Sequence, residues 1–125
     1  NSFVKTMLRL SETRNALSIV SDQIGGPTPA SAIATACIRI SEIITKSGTY
    51  HLSGAPETSW ADFAREIFAQ AGRKVTITDI ETVDYPTPAK RPLNSRLDCA
   101  SLLSDFGVNQ PAWKDALNNV IRELT

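Results

Sequence analysis

Ser59-Trp-Ala-Asp-Phe-Ala-Arg-Glu-Ile-Phe-Ala-Gln-Ala-Gly72, continued by Arg-Lys-Val75-Thr-Ile-Thr78, is the stretch that decides the fold. Trp60, Phe63, Ala64, Ile67, Phe68 and Ala71 recur at three- and four-residue steps, the spacing of one wide helix face. Ser59 followed by Asp62 gives a capping-box-like start, and Gly72 can end the helix in a left-handed conformation. Val75 to Thr78 then alternates apolar and polar, as a half-buried strand does, and Ile80 to Val83 extends it. A helix is therefore delivered straight into a strand.

The same alternation runs outward in both directions. Upstream, Gly54-Ala55-Pro56 turns the chain, and Thr49 to Ser53 reads as a short strand with Tyr50 and Leu52 on one face and His51 on the other. Before it, Ile33, Cys37, Ile40 and Ile44 form a helical stripe beside Ala36 and Ile43. Thr28 is expected to cap that helix, Pro29 to open it, and Gly48 to stop it. Asp22 to Pro29 is a turn-rich connector, Leu17 to Ser21 alternates as a strand, and Phe3, Val4, Met7, Leu8 and Leu10 form a first helix capped by Asn1 or Ser2. Downstream, Tyr85 to Leu97 holds Pro86, Pro88 and Pro92, which forbid an ordinary helix or central strand. Asp98 caps a short helix with Leu102, Leu103 and Phe106 inward and Gly107 as its stop. Pro111 to Leu124 closes the chain as a helix with Trp113, Leu117, Val120, Ile121 and Leu124 inward. Strands alternating with helices, without internal repeats, predict an α/β or α+β domain.

The totals fit one soluble domain: 125 residues, 42% hydrophobic and 21% charged. Formal net charge is zero, so nothing in the balance favours nucleic acid or an anionic membrane. The most apolar segment, Ala30 to Ile44, is interrupted by Ser31, Thr35, Arg39, Ser41 and Glu42 and cannot be a membrane span. Cys37 and Cys99 fall in segments that read as helical and are expected to be reduced and buried. The chain enters its first helix at once, without an initiator Met, which suggests a piece of a longer protein.

Few residues carry chemistry. There is no Gly-x-Gly-x-x-Gly after a strand and no Gly-x-x-x-x-Gly-Lys-Ser/Thr; Gly25-Gly26 precedes Pro27, which offers no N–H to a phosphate. No Tyr-x-x-x-Lys occurs, since Gly54 follows Tyr50 by four and Ala89 follows Tyr85 by four. His51 is the only histidine, so zinc sites and histidine-based triads lack their ligands. Asp79, Glu81 and Asp84 read as solvated, and Trp60 and Trp113 as core rather than stacking platforms. What remains is polar punctuation in loops: Asn1-Ser2, Asp22-Gln23, and Lys90, Arg91, Asn94, Ser95 and Arg96. Helix starts and fixed cations are common hosts for anions; a stiff connector with solvated charges is the more ordinary account of the proline loop.

Three of these segments, in this order and spacing, resemble the C-terminal part of the dTDP-4-dehydrorhamnose reductases. They are Asn1-Ser-Phe-Val-Lys-Thr-Met-Leu-Arg-Leu10, Asp22-Gln-Ile-Gly-Gly-Pro-Thr28 and Tyr85-Pro-Thr-Pro-Ala-Lys-Arg-Pro-Leu-Asn-Ser-Arg-Leu97. One position departs from the family pattern: Ser2 stands where an Asn usually precedes the Phe, so no ligand role is carried over to the side chain at this position, which can still cap the helix. The family consists of extended short-chain dehydrogenases that reduce the 4-keto group of a dTDP-linked 6-deoxyhexulose.

The resemblance implies an α/β fold in which residues 1–125 form the C-terminal substrate-binding portion, with 30–53 packing on an upstream Rossmann domain. It implies that this upstream domain holds NADPH or NADH and the catalytic Tyr/Lys pair, so no catalytic residue falls within these positions. It further implies a dTDP-sugar substrate, a cytoplasmic enzyme, a homodimer and some divalent-metal dependence. Arg91 and Ser95, with Gln23 and Asn1 behind them, are the expected groups near the substrate. Two other readings share the fold: a non-catalytic relative such as the regulatory subunit of methionine adenosyltransferase, and a reductase or epimerase acting on another sugar nucleotide.

Overall fold

The computed structural model describes residues 2–43 and 46–125. Its elements run α1 (Phe3–Ser11), β1 (Ala16–Val20), β2 (Ile24–Gly25), α2 (Ala30–Glu42), β3 (Thr58–Ser59), α3 (Trp60–Ala71), β4 (Thr76–Ile80), a 3-10 turn (Thr82–Asp84), α4 (Ala100–Phe106) and α5 (Trp113–Leu124). β1 and β4 pair in parallel, with Leu17 opposite Ile77 and Ile19 opposite Asp79. β2 and β3 form a short antiparallel pair, and Ile24 also bridges Asn94 in parallel.

α3 is the hub. It packs on α1, α5 and both strands of the parallel pair, and it buries Ala61, Ala64, Ile67 and Phe68. The core continues through Val4, Met7 and Leu8 of α1, Ile19 of β1, and Trp113, Leu117 and Ile121 of α5. Its ends follow the local signals. The Ser59 hydroxyl accepts the Asp62 N–H at 3.0 Å, and Gly72 takes the left-handed conformation at φ 67°. Gly107 ends α4 in the same way. Ser2 is the N-cap of α1, its Oγ accepting the Lys5 N–H at 3.3 Å. Asn1, the other candidate cap, lies outside the described residues.

Several expectations are corrected. Thr28 does not cap α2: its hydroxyl donates to Gly26 O at 2.9 Å and accepts the Gly54 N–H at 3.1 Å, so it staples two backbone segments instead. α2 stops at Glu42, short of Gly48, where three β-branched residues (Ile43-Ile44-Thr45) weaken helix propensity. Gly48 has φ 147°, which is not a left-handed helix cap. Thr49 to Ser53 forms no strand, because no neighbouring strand among the described residues meets its ladder groups. β4 ends at Ile80 rather than Val83, since Asp22 captures the Thr82 N–H and turns the chain aside. Leu103, Val120 and Leu124 are exposed although their helices place partners inward.

α2 departs most from expectation. Of its stripe, Ile33 and Cys37 are exposed, Ile40 is half-buried, and Ile44 lies outside the described residues. Ile38 is 61% exposed, and only Ala36 is buried. The helix makes no extensive packing contact with any other described helix or strand. Both cysteines are free; Cys99 is buried as expected, but Cys37 is not.

Candidate functional site

A cleft of about 270 Å³ opens where β2, the start of α3 and the end of the proline loop meet. Gln23, Gly26, Thr58, Trp60, Ser95 and Leu97 are among the residues that line it. Local chemistry brings them there. Ile24 is held from both sides, donating its N–H to Leu93 O at 2.8 Å and accepting the Ser95 N–H at 2.8 Å. The Ser95 hydroxyl also donates to Ile24 O at 3.2 Å. A side chain at Gly25 would press on that hydroxyl, at 3.1 Å, so the glycine permits the close approach.

The Gly25-Gly26 turn is committed to the fold. A Cβ at Gly26 would overlap the Gly54 carbonyl oxygen, and one at Gly54 would overlap the Pro27 carbonyl oxygen. These two backbones cross at the distance only glycine allows, with Thr28 as the staple. The close approach is used within the fold, and Pro27 beside it has no N–H to offer a phosphate.

On one side of the cleft, polar groups form a chain. The Trp60 indole N–H donates to Gln23 Oε1 at 3.2 Å, and Gln23 Nε2 donates to Thr82 Oγ1 at 3.2 Å. The Thr82 hydroxyl donates to Asp22 Oδ1 at 2.6 Å, and the same carboxylate accepts the Thr82 backbone N–H. These hydrogen bonds from Thr82 hold the Asp22 carboxyl below its ordinary value.

The proline loop is an exposed arch fixed at both feet. Thr82 is tied to Asp22 at one end, and Leu93 to Ser95 are bonded to Ile24 at the other. Beyond the second foot, Arg96 pairs with Glu57 at 3.0 Å. Arg91 lies on the exposed arch, makes no ion pair among the described residues, and is not on the cleft wall. Of the four expected site residues, the structure thus brings Gln23 and Ser95 together, leaves Arg91 apart, and does not describe Asn1. Sequence reading missed Trp60. Trp113 is buried with its indole N–H on Pro56 O at 2.7 Å, whereas Trp60 remains 42% exposed at the cleft.

Several other titratable groups have structural uses. Tyr50 donates its phenol to Asp105 Oδ2 at 2.7 Å, Lys46 meets the other oxygen at 3.2 Å, and the Tyr50 ring packs edge-on against Phe106. Asp105 pushes the Tyr50 phenol up, away from the ionisation a proton relay needs. Asp79, expected to be solvated, pairs with Arg65 at 2.5 Å. His51 is exposed. Among the described residues no group of three or more His, Cys, Asp or Glu side chains could hold a metal ion. Nor is any helix among them long and apolar enough to cross a membrane. A larger, more open groove of about 480 Å³ runs between α2 and the segment from Gly107 to Pro111, with Arg39 its only charged lining residue.

Comparison with known proteins is unambiguous at the level of family. The profile of the RmlD substrate binding domain matches residues 1–125. A dTDP-4-dehydrorhamnose reductase of Aggregatibacter actinomycetemcomitans is 47% identical over 131 residues, covering 96% of this chain and 45% of the relative. The crystal structure of a dTDP-4-dehydrorhamnose reductase from Clostridium acetobutylicum superimposes with a TM-score of 0.92 at 37% identity, covering 99% of this chain and 44% of that one. The reductase from Bacillus anthracis, solved in complex with NADP, gives 0.88 at 35% identity over 98% of this chain and 43% of its own. The chain thus spans somewhat under half the length of the relatives it matches.

Proposed function

Because the chain belongs to the RmlD substrate binding domain family, we propose that it is the substrate-holding part of a dTDP-4-dehydrorhamnose reductase. The whole enzyme reduces dTDP-4-dehydro-L-rhamnose to dTDP-L-rhamnose in the cytoplasm and works as a homodimer. NADPH or NADH supplies the hydride and is held by an upstream Rossmann domain. That assignment agrees with a Gly25-Gly26 turn already filled by Gly54 and Ser95.

Within this chain, Ser95 offers a hydroxyl at the cleft and Gln23 shapes its wall. Arg91 projects from the arch as a cation for the diphosphate, and Asn1 is the fourth member of the set. Their contribution is orientation: a sugar nucleotide held at several points presents its C4 carbonyl in one pose, which removes much of the entropic part of the barrier. Residues 30–53 pack on the upstream domain. The exposed Ile33, Cys37 and Ile38 of α2, a helix without extensive contacts to the other described helices and strands, support that placement.

The observation that carries the reading is the cleft joining Gln23 to Ser95 in a chain that matches the family from end to end. The test is NAD(P)H oxidation by the full-length protein with dTDP-4-dehydro-6-deoxy-L-mannose. Steady turnover is expected, and a well-folded sample with none overturns the proposal.

A further inference from the structure

Trp60 is a large aromatic at the cleft whose ring is fixed from several sides. Phe3 lies against it with centroids 4.8 Å apart and planes at 59°, and Phe63 stands 6.4 Å away. Phe3 does not line the cleft, so it supports the indole from behind. The indole edge is held by Gln23 at 3.2 Å.

The orientation of that amide is itself determined. The Thr82 hydroxyl has one proton, and the 2.6 Å contact commits it to the Asp22 carboxylate. Its oxygen can then only accept, so it takes the Gln23 N–H and turns the Gln23 carbonyl toward Trp60. Every donor in the series points toward Asp22, an arrangement in which each bond strengthens the next. A surface tryptophan ordinarily exchanges rotamers; this one is held in place before any ligand arrives, which lowers the ordering cost of binding.

We infer that Trp60 is the stacking platform for the pyrimidine base of the sugar nucleotide, and that Gln23 is the positioning residue that holds its ring. The inference rests on the sugar-nucleotide reading above and adds a subsite to it. A planar heteroaromatic ring is the ligand group matched to a fixed indole face bordered by Thr58, Ser95 and Leu97. Gln23 acts through Trp60 because both ends of its amide are already engaged by the protein.

The test uses the full-length protein with two probes, dTDP and inorganic pyrophosphate, titrated by calorimetry, together with proton NMR of the bound thymine methyl. Trp60→Ala is expected to weaken dTDP about tenfold, the scale of one base stacked on one aromatic ring, and to leave pyrophosphate within about twofold. Trp60→Phe keeps a stacking face and most of the affinity. Gln23→Leu weakens dTDP about threefold in the parent but adds nothing to Trp60→Phe, which has no indole N–H to hold. The thymine methyl resonance moves upfield on binding, and Trp60→Ala abolishes that shift.

Unchanged dTDP affinity in Trp60→Ala, or no upfield shift in the parent complex, overturns the platform alone. Should Trp60→Ala fail to fold, the paired Gln23→Leu measurements and the parent shift still decide. A parent protein that binds neither probe removes the sugar-nucleotide reading, and the platform with it.

Discussion

The Thr82 hydroxyl sits 2.6 Å from Asp22 Oδ1, joining the end of β1 to the end of β4 across sixty residues of sequence. The carboxylate also accepts the Thr82 N–H, so one ionised side chain meets two donors of one residue. Its value is held below the usual 3.8. The stability it contributes is therefore present above the unfolded-state value and is lost as pH falls through the lower folded value. Urea unfolding of the full-length protein between pH 2 and 6 should show this acid-side loss, and Asp22→Asn should flatten it. An unchanged acid limb in the variant removes Asp22 from the account.

The Tyr50–Asp105 pair sets the opposite limb. Asp105 raises the Tyr50 phenol above its ordinary 10.0. That contribution is complete below the unfolded value and disappears as pH rises through the higher folded one. Tyr50→Phe should remove the alkaline loss in unfolding experiments above pH 9, and it should also shrink the acid-side loss contributed by Asp105, whose carboxyl the Tyr50 hydroxyl holds below its ordinary value.

Gly54→Ala should be among the most damaging small substitutions in the chain. The added methyl meets the Pro27 carbonyl, a backbone atom that cannot swing away. A destabilisation of about 3 kcal/mol is expected by denaturant titration, comparable to severe overpacking. Ile67→Ala, at a fully buried position, should cost about the same through a cavity rather than a clash. Gly72→Ala, with open space around it, should cost only its left-handed backbone strain, about 1 kcal/mol.

Cys37 reports on what covers α2. In this chain it is exposed while Cys99 is buried. If residues 30–53 pack on an upstream domain, the full-length native protein should react slowly with a thiol reagent at both cysteines. Ile38→Glu should then make Cys37 react at least tenfold faster. Rapid modification of Cys37 in the unaltered full-length protein contradicts that packing.

Arg91 and Arg96 separate binding from scaffold. Arg91→Ala is expected to raise KM for the sugar nucleotide about tenfold with kcat within twofold, the pattern of a group that binds ground and transition states alike. Arg96 forms an exposed pair with Glu57, and its removal should change stability by less than about 0.5 kcal/mol. Equal kinetics for Arg91→Ala and the parent would return the arch to the role of connector.

What sequence makes legible here is what neighbours in sequence decide. Ser59, Asp62 and Gly72 delimit α3 because caps act within one turn, and the Ile67 face follows from helical periodicity. Thr28 misled because a residue suited to a cap was claimed by a distant partner, the Gly54 N–H. Thr49 to Ser53 has strand chemistry but no strand beside it, and pairing is a property of two segments. Trp60 shares the periodicity of the α3 core face; as the first residue of the helix it overhangs the edge of the core and reaches the cleft. The Asp22–Thr82 bond has no local signal, and it alone explains why β4 ends where it does. Gln23 and Ser95 were recognisable as polar loop residues, but that they share a cleft is set by the Ile24 backbone pairing with both Leu93 and Ser95.

The parallel register of Leu17 with Ile77 also dictates an order of events. β1 leaves the ribosome before α2 and α3, and its partner β4 emerges only after them. Until then its ladder groups and Ile19 stay unpaired, and the loop to be closed is long. Closure of this kind sets slow folding rates and prolongs the life of sticky, half-made states. Nascent chains halted before Ile80 should therefore engage chaperones, while those extended past α5 should be released.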